Sequence, residues 1–109
     1  GNNKEEKTSN NLMQIQSAIT RFQVLKITYC SAEQNDTQRV IEPFAIYSIN
    51  GNFLLIAFCR LRGDFRVFRI DFIQSLIPQD ETFAPHNMTM KKFFENYIKD
   101  KNTPDTPLS

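Results

Sequence analysis

Four arginines, Arg60, Arg62, Arg66 and Arg69, fall within ten residues, with Asp64 as the one acid among them. A guanidinium group is always charged and presents planar, forked donors that match phosphate and carboxylate. Arg39 adds a fifth, and between Arg39 and Asp71 the only acids are Glu42, Asp64 and Asp71. Three carboxylates cannot neutralise five guanidinium groups, so the stretch has the electrostatic footprint of an anion or nucleic-acid receptor. The competing reading is a solvated sheet face with ordinary surface ion pairs.

Other side chains could join such a site. Tyr29 and Ser31 end one strand on the same side, where a hydroxyl could hydrogen-bond a ligand or simply face water. Phe53, Phe58, Phe65 and Phe68 could stack bases, although most of ten Phe must be core. Phe68, on the same strand face as Arg66, is the best placed of them. Arg62 sits at a turn, where solvation is expected. Asp71 is expected to cap the corner after Arg69 rather than pair with it. Strict alternation puts Arg66 and Arg69 on opposite faces, so both reach one site only if the ladder ends or bulges between them.

Catalysis finds no support in the residues. There is no Gly-rich phosphate loop, no nucleophile–base–acid set and no suitably spaced carboxylate pair, so the chain is read as not an enzyme. His86 is the single histidine, in a Pro-rich connection without Cys or His neighbours, and is expected to be a surface residue. No cofactor and no metal site is expected. Cys30 and Cys59 are read as buried free thiols of a cytoplasmic protein. No apolar run approaches a membrane span. A net charge of +1 says little by itself; the placement of the arginines, all between Arg21 and Arg69, says more. The chain begins with Gly1 rather than Met, which suggests either an artificial leading residue or a domain cut from a longer protein, and Gly1 is left out of the fold reading.

The elements that must position these groups follow from periodicity and turn chemistry. Asn2 to Ser9 is polar and expected to fray. Asn10 or Asn11 is a plausible N-cap for an amphipathic helix with Leu12, Ile15, Ile19 and Phe22 on one stripe, ending near Val24-Leu25. Its apolar face is expected to pack on its own core, or else on an upstream domain. Lys26 to Ser31 reads as a strand, and Thr37 to Ile41 begins a second that Pro43 interrupts with a bulge or bend. Asn50-Gly51 is a type I′ turn signal. Phe53 to Cys59, without a polar residue, suits a central strand buried on both faces. A turn at Arg62-Gly63-Asp64 leads to the strand Phe65 to Ile70. After a corner, Gln74 to Ile77 forms a fifth strand that Pro78 stops. Thr89 is a candidate N-cap for a helix from Met90 to Asp100, with Phe93, Phe94, Tyr97 and Ile98 as its apolar face.

The pattern Gly51-x-Phe53-x-Leu55-x-Ala57-x-Cys59-Arg60-x-Arg62-Gly63-Asp64-x-Arg66-x-Phe68-Arg69-Ile70-Asp71-x-Ile73, preceded by Ile27-Thr28-Tyr29 and Arg39-Val40-Ile41-Glu42-Pro43, resembles the WYL domain family. The likeness runs from about Ile19 to Phe83. Such domains occur mainly in bacterial transcription regulators, usually behind a helix-turn-helix. The resemblance implies an Sm-like barrel, a tyrosine at the Tyr29 position, and equivalents of Arg39, Arg60, Arg66 and Arg69 among the ligand-contacting positions. On that ground a bulge between Arg66 and Arg69 is expected. Two positions depart from the family: its Trp-Tyr-Leu triplet is here Phe53-Leu54-Leu55, and an arginine common before Ile73 is here Phe72.

The expected fold is therefore mainly β (α+β): a small five-stranded Sm-like or SH3-like barrel with an N-terminal and a C-terminal helix. Residues 1–9 form a disordered segment, 10–83 the WYL-like domain, 84–100 a connection and helix, and 101–109 a disordered tail. The expected function is ligand sensing in a transcription regulator. A nucleic-acid fragment or anionic, nucleotide-like ligand would be bound by Tyr29, Ser31, Arg39, Arg60, Arg66, Phe68 and Arg69. A DNA-binding domain would lie elsewhere in the protein or in a partner, with a homodimer as a further option. The alternative is an interaction or dimerisation module whose two helix faces do the work.

Overall fold

The computed structural model describes residues 3–30 and 35–100. Helix α1 (Asn3–Arg21) is followed by β1 (Gln23–Cys30), β2 (Asp36–Ile49), β3 (Asn52–Cys59), β4 (Asp64–Arg69), a 3-10 turn (Ile70–Phe72), β5 (Ile73–Thr82) and α2 (Met90–Asp100). The five strands form one antiparallel sheet in the order β4-β3-β2-β1-β5. Ladders join every neighbour in that order. Among the described residues none joins β4 to β5, so the 3-10 turn carries the chain around that corner. The expected mainly-β class with two flanking helices is the one observed.

Local chemistry accounts for the turns. Asn50 and Gly51 both have positive φ, 51° and 79°, as a type I′ hairpin turn demands. Gly63, at φ 67°, closes the β3–β4 turn, and its N–H donates to the Cys59 carbonyl at 2.8 Å. The β2–β3 register shifts between Pro43 and Ala45, where the proline, lacking an N–H, interrupts the ladder as expected. The extra residue turns both Phe44 and Ala45 toward the same face, which bends the strand.

That bend gives the sheet two apolar faces, each with its own helix. On the inner face Leu25, Ile27, Tyr29, Ile41, Leu55, Ala57, Cys59 and Phe68 pack against Ile15 and Ala18 of α1. On the outer face Leu54, Ile56 and Val67 pack with Phe44, Tyr47 and Phe65 against Phe93, Phe94 and Tyr97 of α2. β3 is buried on both sides, which is why it lacks polar residues. Both helix faces are thereby spent on the chain's own sheet, α1 on its own core as expected.

Three boundaries differ from expectation. α1 starts at Asn3, so the polar segment expected to fray forms its first two turns. Asn11 is no cap: it lies in mid-helix, buried, and its Nδ2 donates to the Ile73 carbonyl at 3.4 Å. The helix stops at Arg21 because Phe22 takes a left-handed φ of 54°, which puts Val24 and Leu25 in β1 instead. β5 continues through Pro78 to Thr82, paired with β1, because an edge strand tolerates a proline on its open side. Thr89 does cap α2, its Oγ1 accepting from the Lys92 N–H at 3.0 Å. Ser31 and the tail 101–109 lie outside the described residues.

Candidate anion-binding site

The strand registers divide the arginines between the two faces. Arg39 pairs with Ile27 and Arg66 with Ala57, so both side chains leave the inner face. Arg69 pairs with Leu54, on the outer face, and the β3–β4 ladder runs from Asp64 to Arg69 without a shift. The bulge expected between Arg66 and Arg69 is therefore absent, and strict alternation keeps the two apart.

Their electrostatic circumstances differ as much as their faces. Arg60 donates from Nε to Glu42 Oε2 at 2.9 Å and from Nη2 to Glu81 Oε2 at 2.7 Å. These two carboxylates, Glu81 foremost, hold the guanidinium firmly in its charged form, and Arg60 in turn keeps Glu81 below the usual carboxylate range. Arg69 grips Asp71 through Nε at 3.1 Å and Nη2 at 2.7 Å, while its guanidinium lies 4.1 Å from the centre of the Phe72 ring. Asp71 thus pairs with Arg69 rather than capping the corner: the 3-10 turn carries no side-chain cap, and the extended Arg69 just before it reaches the Asp71 carboxylate.

Arg39 and Arg66 have no carboxylate partner among the described residues. Both are half-buried, and the Nε of each is shut off from solvent without an acceptor. A buried donor left unmade costs about 1–3 kcal/mol. Arg39 has only a weak contact, Nη1 at 3.6 Å from the Sγ of buried Cys59. Ala57 and Cys59 on β3 separate the two arginines, and both are small. The arrangement is a pair of uncompensated cations on one face, able to take an anion by forked hydrogen bonds once the side chains turn toward it.

Tyr29 and Phe68 form the floor beneath. Tyr29 is 1% exposed, and its hydroxyl accepts from the Arg69 backbone N–H at 3.0 Å. Burial pushes the phenol up to about 12, against the opposing pull of that hydrogen bond and of the Arg69 charge. Phe68 is fully buried, edge-on to Tyr29 with ring centres 5.2 Å apart, so its ring has no face open to a base. Its selection as the stacking aromatic is corrected by its place in the core. Of the four candidates only Phe53 is exposed; it borders a groove of about 570 Å³ with Lys4, Thr8, Leu12 and Asp71, and no arginine lines that groove.

Sequence reasoning missed a second cluster. His86 is not a plain surface residue: it stacks on Phe58 and its Nε2 lies 2.6 Å from Glu42 Oε1. Its partner is 44 residues away, and nothing local announces such a contact.

A bent five-stranded antiparallel sheet, led by a helix and carrying the arginine motifs of β3 and β4, defines a WYL domain. The chain belongs to that family, whose profile matches residues 10–78. It is similar to YobV of Bacillus subtilis (strain 168), an uncharacterised HTH-type transcriptional regulator, with 31% identity over 83 residues. The match covers 76% of this chain and 26% of that protein, so the chain spans about a quarter of the relative's length. Among solved structures it is similar to proteasome accessory factor B/C of Arthrobacter aurescens, with a TM-score of 0.68 and 26% identity over 71% of this chain and 12% of the other.

Proposed function

We propose that this domain is the ligand-sensing part of a bacterial transcription regulator, and that Arg39 and Arg66 receive an anion on the inner face of the sheet. The ligand class is a nucleic-acid fragment or another phosphorylated molecule. The observation that carries the reading is the contrast among the arginines. Arg60 and Arg69 are occupied by carboxylates, whereas Arg39 and Arg66 hold buried, unused donors. A ligand phosphate would relieve that deficit, so the empty and bound states differ in the rotamers of both side chains. Arg69 lies on the opposite face and Arg60 is held by Glu42 and Glu81, so neither is assigned a ligand contact in this reading. Membership of a family represented in an HTH-type regulator supports a DNA-binding domain elsewhere in the protein or in a partner, whose docking would respond to the bound state.

Fluorescence anisotropy of a labelled single-stranded oligonucleotide tests the site. Arg66→Glu is expected to weaken binding at least tenfold, whereas Arg62→Glu, the same charge change on an exposed turn, leaves it within about twofold. Equal losses in both variants would mean a diffuse charge effect and would overturn the assignment.

A further inference from the structure

The segment joining β5 to α2, residues 83–89, meets the outer face through Met88, which packs on the Leu54–Ile56–Val67 cluster, and through His86, its one titratable side chain. The His86 ring lies over Phe58 with centroids 5.0 Å apart and planes 29° from parallel. It meets Phe65 edge-on at 5.0 Å and tilts against Phe83 at 5.8 Å. Its Nε2 is 2.6 Å from Oε1 of Glu42, a carboxylate whose side chain is only 12% exposed. The other oxygen of Glu42 accepts from Arg60, which also holds Glu81.

The charges in this cluster do not balance without the histidine. Two carboxylates, Glu42 and Glu81, face one guanidinium, Arg60, leaving one negative charge in excess. A protonated imidazole at 2.6 Å from Glu42 cancels it. The groups contributed by β3, β4 and the connection itself, Phe58, Phe65 and Phe83, are uncharged, and the stacked face of Phe58 favours a cation.

Beyond His86 the grip on α2 is side chain against side chain. Phe93 faces Phe65 at 6.4 Å, and Phe94 meets Tyr47 edge-on at 5.2 Å. Among the described residues no backbone hydrogen bond joins α2 to the sheet. An element without a backbone link to the sheet can open without breaking a ladder hydrogen bond. It also lies outside the stretch shared with the family, residues 10–78.

We propose that His86 is a proton-operated fastener: charged, it holds the connection and α2 closed over the outer face through Glu42, and neutral, it lets them loosen. Because Glu42 sits on β2 three residues from Arg39, the same strand carries the fastener and one arginine of the inner face.

The test is amide hydrogen exchange of the whole chain between about pH 5.5 and 8, the range in which histidine titrates, expressed as protection factors. His86 is the single histidine, so its ring resonances report the titration directly. Protection of the amides from Phe93 to Tyr97 is expected to fall roughly fivefold as the ring loses its proton, while Leu55 and Ala57 in β3 stay constant. His86→Gln is expected to give low, pH-independent protection, and Glu42→Gln likewise where it folds. Protection in α2 that is flat across the titration in the wild type, or that keeps its slope in His86→Gln, would overturn the proposal.

Discussion

Tyr29 carries the clearest single-residue prediction. Its phenol is buried and pushed up to about 12. The unfolded chain ionises the group near 10, the folded one only near 12, so its contribution to stability is whole below 10 and declines as pH rises from 10 toward 12. Two units amount to about 2.7 kcal/mol, with Tyr47, raised by its own burial, adding in the same direction. Denaturant titrations between pH 9 and 11.5 should show that decline, and Tyr29→Phe should flatten most of it. The variant also strips the Arg69 N–H of its acceptor and is expected to lose about 1–3 kcal/mol at neutral pH. A Tyr29→Phe protein as stable as the wild type, with the alkaline slope intact, would place the titration elsewhere. What the sequence could announce about these residues was their type and their strand. Their partners depend on register: Glu81 lies outside the Arg39–Asp71 stretch in sequence, yet it takes a share of Arg60.

Elements were legible wherever a local rule governs and illegible where a tertiary contact does. Asn50-Gly51, Pro43 and Thr89 each act through the backbone geometry of their own neighbourhood, and each does in the fold what its chemistry requires. The end of α1 carries no glycine; Phe22 takes the left-handed position instead, its carbonyl accepting from the Phe83 N–H and its ring edge-on to Phe83. A contact across sixty residues replaces the local signal. The start of α1 was hidden for the same reason, since Asn11 looks like a cap until its amide is seen to be taken by Ile73. The Thr89 cap makes the test at this scale. Thr89→Ala removes the acceptor for the Lys92 N–H and should cost about 1 kcal/mol. Because α2 lies on the sheet through side chains alone, exchange at its amides should quicken while the β3 amides keep their protection. An equal loss of protection in both would mean that α2 and the sheet open as one unit.

At the scale of the whole molecule the question is whether anion binding belongs to a site or to a surface. The net charge is +1, with 13 basic and 12 acidic groups, so no strong overall field attracts a polyanion. Four acids in the fold, Glu42, Glu81, Asp71 and the Asp64 carboxylate that accepts from the Phe65 N–H, lie among the arginines and trim the charge they present. What remains concentrated on the inner face is Arg39 and Arg66. Counterion release then gives a number: each phosphate neutralised on a single strand contributes about −0.7 to the slope of log K against log salt, so two contacts predict about −1.4. Anisotropy titrations of the same oligonucleotide from low to moderate salt measure that slope. A value near −1.4, falling by about half in Arg66→Glu, is what two arginines acting as a pair require. A slope of about −3 or steeper, unchanged in Arg66→Glu, would show the ligand running along Arg60, Arg62 and the lysines instead, and the two-arginine site would give way to an extended track.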